Sequence, residues 1–302
     1  MSHFGLNRTL RTSKFAAMPK TTIAGTTVRR AMIAVGALAM VAFTAPVAHA
    51  TSGTTTCRPT LPTAERQHIA DLSAPLANRT LTEARDNVHE IASIWAGQGD
   101  PRGAFADVYA PILDVTLRSI AQHAYQETPW AERLAVNFVN RYLEAVNAHV
   151  TGGEVPRAWQ QHFQFATDCR HSGGRVATSG MNSHLILDLP AAIVAVHTDA
   201  DQWADFNHYG EILGSATPDI IASIKEDYGT DLTELFTASI VGDAIGEQRA
   251  TGLFFQSVRA AAWVSGRGLS NPVTKTATYG SMWAEWATAE AALDTSDAVG
   301  LF

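Results

Sequence analysis

Cysteine and charge are both scarce in this chain. Its 302 residues include two cysteines, and 17% are charged against 46% hydrophobic. That balance is globular and leaves no room for a disordered or collagen-like chain. The lack of any C-x-x-C pair excludes a thioredoxin-like centre and a cysteine-rich zinc site. No run alternates Val, Ile or Thr with polar residues, and no Asn-Gly or Asp-Gly hairpin signal occurs. Without strands there is no Rossmann nucleotide site. A G-x-S-x-G elbow, a phosphate-binding glycine loop, an H-E-x-x-H pair and an EF-hand loop are all missing. No repeat of fixed period is present.

No block of Lys and Arg stands outside the N-terminal region. Arg8, Arg11, Lys14, Lys20, Arg29 and Arg30 stand there with no acid, followed by the apolar run from Ala31 to Ala48 and the small-residue site Ala48-His49-Ala50. This order predicts a signal peptide over residues 1–50, cleaved after Ala50, and a secreted or envelope-associated protein. The apolar run is short for a stable membrane span, and Pro46 interrupts it. Removing the leader leaves 16 Lys and Arg against 29 Asp and Glu, a net charge of −13. So acidic a surface repels phosphate backbones, which makes nucleic acid a poor partner. The cysteines, Cys57 and Cys169, both fall in the mature part, and an even pair in an exported protein predicts a disulfide. Closing a loop of that length stabilises by about 4–5 kcal/mol in the chain-entropy picture.

From residue 60 onward the hydrophobic period is helical. Leu81, Ala84, Val88, Ile91, Ala92 and Trp95 form one stripe, and Trp130, Leu134, Phe138, Tyr142, Leu143 and Val146 form the longest. Thr128 before Pro129 predicts a helix start, and Gly152-Gly153 its end. Pro111 is expected to kink or start its helix. Further helices are expected over 181–196, 204–228, 231–245, 251–268 and 279–293. The expectation is a single all-α domain over 51–302, with a core from about 60 to 294, built as a bundle of eight to ten helices.

The densest polar segment is Gly180-Met181-Asn182-Ser183-His184-Leu185-Ile186-Leu187-Asp188-Leu189-Pro190. His184 and Asp188 lie four apart and share a helix face. An imidazole and a carboxylate so placed can bind a divalent metal or act as an oriented acid/base pair. They can equally be a satisfied core histidine and a cap for the helix after Pro190. Asn182 is expected to cap or to fold back on its loop. Asp205, His208 and Glu211 recur every three residues and either join that site or form a solvated face. Asn140 and Glu144 pose the same choice on the long helix. Arg259 is placed to stack on Trp263 or to pair with a buried acid. The seven tryptophans are read as packing residues.

The segment G-M-N-S-H-L-I-L-D-L-P resembles the signature of an uncharacterised, mainly actinobacterial family of all-helical domains of unknown function. Phe105-Ala106-Asp107-Val108-Tyr109, the Asp205–Leu213 stretch and Arg259-Ala260-Ala261-Ala262-Trp263 are similar to that family too. The resemblance implies an all-α fold and no activity. His184 and Asp188 also resemble the helical His-x-x-x-Asp pair of exported zinc phospholipases and nucleases. By that analogy the enzyme would be a metal-assisted hydrolase. His184 and Asp188 would be its catalytic pair, and His184, Asp188, His208, Glu211 and Glu144 would surround a divalent ion such as zinc. Against it stand a non-catalytic module for an apolar small molecule or lipid, and a structural or interaction protein.

Overall fold

The computed structural model describes residues 60–237 and 247–300. The expected leader and Cys57 lie outside the described residues, as do residues 238–245 of the helix expected over 231–245. Helix starts follow local chemistry. Helix α1 (Thr63–Ser73) begins after Pro62. Helix α2 (Leu81–Gly97) opens on a capping box, in which the Glu83 amide donates to Thr80 Oγ1 and the Thr80 amide donates to the Glu83 carboxylate. Such a reciprocal cap satisfies two amides that the helix itself cannot. A single 3-10 turn, Pro101–Gly103, leads into α3 (Ala104–Ala121), which holds Pro111 in its interior and neither starts nor ends there.

Helix α4 (Thr128–Thr151) ends at Gly152, whose φ of 77° is the left-handed conformation that glycine adopts without strain. Its start differs from expectation. Thr128 caps nothing; Asp205, from a helix far along the chain, accepts from the amides of Gln126 and Glu127 at 2.9 and 2.7 Å. Helix α5 (Arg157–Ala166) follows. Helix α6 (Gly173–Ser183), a π turn (His184–Asp188) and α7 (Leu189–Ala195) form one continuous rod. So the helix expected from residue 181 starts eight residues earlier, on a Ser172 cap. Helix α8 (Trp203–Leu213) passes through a 3-10 turn into α9 (Thr217–Tyr228). Short α10 (Thr233–Thr237), long α11 (Glu247–Ser270) and α12 (Lys275–Ala298) complete the set.

Among the described residues there is no strand, and the architecture is an all-α bundle. Helix α3 is the central rod, touching α2, α4, α6, α8 and α9. Its inner face is almost wholly buried, and the buried apolar side chains of the bundle form one cluster. Helix α6 approaches α3 closely because Gly180 has no side chain; a Cβ there would lie 2.6 Å from that of Phe105. Helix α11 runs along α7, and α12 covers α6. Trp95, Trp130 and Trp159 are core residues, but Trp203 is 41% exposed and rests on Trp263 near the surface. Among the described residues no helix is long and apolar enough to cross a membrane.

Candidate functional site

The π turn at His184–Asp188 answers a local problem. Pro190 has no amide hydrogen to give to the carbonyl one turn back, and its ring crowds that carbonyl. The Leu189 amide donates to the His184 carbonyl, five residues back, so the helix widens by one residue just before the proline. Such wide turns recur at functional sites. Here the turn lays the His184 and Asp188 side chains against each other, with Nδ1 of His184 3.0 Å from Oδ2 of Asp188. Trp159 of α5 donates its indole N–H to the same Oδ2 at 3.0 Å. Asp188 does not cap α7.

Four aromatic side chains surround the imidazole. Phe138 of α4 stacks parallel to it at 3.6 Å between ring centroids. Tyr109 and Phe105 of α3 present tilted rings at 4.7 and 5.3 Å, and Trp159 lies at 6.0 Å. His184 is only 2% exposed. Burial lowers its pKa below the ordinary histidine value, with Asp188 opposing and the charge of Arg141 adding to the effect. The ring is therefore neutral at pH 7. With Nδ1–H donating to the carboxylate, Nε2 carries the lone pair. That Nε2 is buried and has no hydrogen-bond partner among the described residues.

The remaining candidates lie elsewhere. On α8 the buried side chains are Asp205, Phe206, Tyr209 and Leu213. This turns His208 and Glu211 outward, where they pair with each other at 3.1 Å, both largely exposed. On α4 the buried stripe holds Phe138, Tyr142 and Ala145, so Glu144 faces out into an open groove with Asn140 and Arg141. The five-residue metal constellation is thus not assembled, and among the described residues no cluster of three or more His, Cys, Asp or Glu could hold a metal. The site retains His184 and Asp188. Asn182 neither caps nor folds back: it reaches α12, donating to the Trp286 carbonyl at 3.2 Å and to Glu290 at 2.7 Å.

Two further buried ionisable groups belong to this interior, Arg259, which the sequence singles out with other partners, and Asp107, which it does not. Arg259 of α11 stacks on neither Trp263 nor an acid. Its guanidinium lies 4.2 Å from the Phe206 ring and 4.9 Å from the Tyr209 ring. Burial pushes its pKa down to about 10, with Tyr209, Tyr125 and Tyr109 opposing. Tyr109 feels both Asp188 and Arg259, so it bridges the two regions electrostatically. Asp107 of α3 is the other group. Burial, then the charge of Asp227 and a hydrogen bond with it, raise the Asp107 pKa to about 9. At neutral pH Asp107 is an uncharged acid. The signal was visible as a lone carboxylate in the apolar run Phe105–Tyr109.

The segments on which the resemblance rested thus meet in space: Phe105 and Tyr109 against His184, Phe206 and Tyr209 around Arg259. A profile described as "Family of unknown function (DUF5995)" matches residues 81–296. The chain belongs to the DUF5995 family. The match spans α2 through nearly all of α12 and takes in every residue of the aromatic shell. No curated protein and no solved structure matches this DUF5995 chain.

Proposed function

We propose that this DUF5995 protein is an exported helical binding module. In this reading the His184–Asp188 pair accepts a hydrogen bond from a small ligand with an apolar body and one N–H or O–H donor. The observation that carries the reading is the buried, unpartnered Nε2 inside an aromatic shell. A buried acceptor without a partner costs roughly 1–3 kcal/mol. A phenyl ring in the same place would pack against Phe138 without that cost. An acid-oriented imidazole fits a site in which a ligand supplies the missing donor.

A second reading rests on the same atom. A carboxylate at Nδ1 and a lone pair at Nε2 are what a general base requires, so an activity that abstracts a proton fits the pair. Metal-assisted hydrolysis fits less well, because His208, Glu211 and Glu144 face away. The leader composition supports export with cleavage after Ala50. In the mature chain Cys57 would bridge to Cys169, which sits exposed in the turn after α5.

Indole and phenol serve as probes, each an apolar ring with one donor. Titrated into protein carrying ¹⁵N-labelled histidine, either should move the His184 Nε2 resonance saturably, and His184→Phe should abolish the binding while preserving the fold. A His184 resonance indifferent to both probes, with no small molecule co-purifying in native mass spectrometry, would mean the pair only holds helices together.

A further inference from the structure

The interior holds a second feature that the His184 reading does not use. Arg259 is 1% exposed and forms no ion pair among the described residues. Two aromatic faces, Phe206 and Tyr209, lie against its guanidinium. One hydrogen bond is made, from Nη2 to the Phe206 carbonyl at 3.2 Å. Nε is buried and has no partner among the described residues. The placement is built: Gly210 lacks the Cβ that would lie 3.1 Å from Nε and 2.6 Å from Gln256 Oε1. Gln256 is held in turn by the Asn207 carbonyl at 2.7 Å. Glycine on α8 therefore lets α11 lay a cation into the bundle.

A buried cation is costly unless an opposite charge and further hydrogen bonds compensate it. Aromatic faces compensate in part, and their attraction grows when water is excluded. They do not satisfy the N–H groups, which lie in the guanidinium plane. The tyrosines nearby are no counter-charge, since burial raises the pKa of Tyr209 and lifts that of Tyr109 well above the ordinary range. Asp188 acts on Tyr109 but already serves His184 and Trp159.

We propose that Arg259 receives the carboxylate of a small apolar organic acid, which supplies the counter-charge that the described part of the chain does not. The donor set selects this class. A guanidinium matches a carboxylate geometrically with two parallel N–H···O bonds. A phosphate dianion would need several more donors, and the neighbouring side chains are the aromatic Phe206, Tyr209 and Trp263, which suit an aromatic or branched hydrocarbon body. The site stands apart from the His184 acceptor, because a carboxylate at neutral pH brings no donor for Nε2.

Thermal melting of the full chain after equilibration with sodium benzoate, against sodium chloride at equal ionic strength, tests this. Benzoate should raise the melting temperature saturably by about 3–5 °C, and inorganic phosphate should not. Arg259→Gln should melt at or above the wild type without benzoate and show no benzoate response, while Arg259→Lys should keep a weaker one. Isothermal titration of benzoate into wild-type protein provides a readout independent of any variant's folding. Three results would overturn the proposal: no benzoate effect beyond chloride in either measurement, an equal effect in Arg259→Gln, or phosphate acting as strongly as benzoate. His184→Phe should leave the benzoate response intact, so the two sites fail separately.

Discussion

Of the three arginines buried among the described residues, Arg175 and Arg259 are the most deeply buried, and their surroundings differ in counter-charge. Arg175 of α6 is fully buried over the ring of Phe165, and α12 brings it Glu290 at 2.6 Å and Asp294 at 2.7 Å. Glu290 accepts from Asn182 on one oxygen and from Gln161 and Arg175 on the other, while Nη1 of Arg175 is left without a partner among the described residues. Arg259 is buried almost as deeply over aromatic rings, and among the described residues it donates only to a backbone carbonyl. The comparison separates two uses of a buried charge. A cation whose counter-charge comes from the chain fastens helices, here α12 onto α5 and α6. A cation without one stores an unmet demand, which is the mark of a place where something else binds.

The largest effect should come from breaking the satisfied cluster. Glu290→Ala strands Arg175, Asn182 and Gln161 together, and losing one partner of a buried pair typically costs about 3–5 kcal/mol. Urea unfolding should report a loss of that size; a loss below ~1 kcal/mol would show that Asp294 alone suffices and that the contrast between the arginines is overstated.

Asp107 sharpens the same contrast from the acidic side, because its neighbour Asp227 carries the same charge. The folded carboxyl keeps its proton up to about pH 9, whereas the unfolded one releases it near 3.8. Between those values the folded state binds the extra proton, so stability falls as pH rises through the window. Asp107→Asn removes that dependence. It should stabilise on the order of 2 kcal/mol at pH 8, a value discounted from the full shift because Asp227 is exposed to water, and close to nothing at pH 4. A gain independent of pH would place the cause in packing. The smallest effect is expected at the exposed pair: His208→Ala and Glu211→Ala should each change stability by less than ~0.5 kcal/mol. They should also leave probe binding at both interior sites unchanged, and a loss there would tie α8's outer face to function.

Much of the helical plan is legible from periodicity, since the stripes on α2 and α4 align with buried faces residue by residue. The proximity of His184 and Asp188 is legible too, because four residues is one helical turn. The metal constellation misjudged α8 and α4: spacing of three residues says that His208 and Glu211 share a face, and nothing local says which face turns inward. Phe206 and Tyr209 decide that by burying their larger apolar area against α3 and α11. Asn182 was misread for a similar reason, its partners being more than a hundred residues away on α12.

What the sequence determines alone is whatever depends on neighbours along the chain. That covers the helical class, the αL stop at Gly152, the His184–Asp188 spacing, and the acidic, cysteine-poor composition. Only the tertiary structure decides the electrostatics of the interior. The aromatic shell of His184 comes from α3, α4 and α5, the counter-charge of Arg175 from α12, and the carboxyl neighbour of Asp107 from α9. Whether a buried group is satisfied depends on atoms within about 3 Å of it in space. Helical periodicity reports which face is apolar and carries no information on which distant helix will meet it.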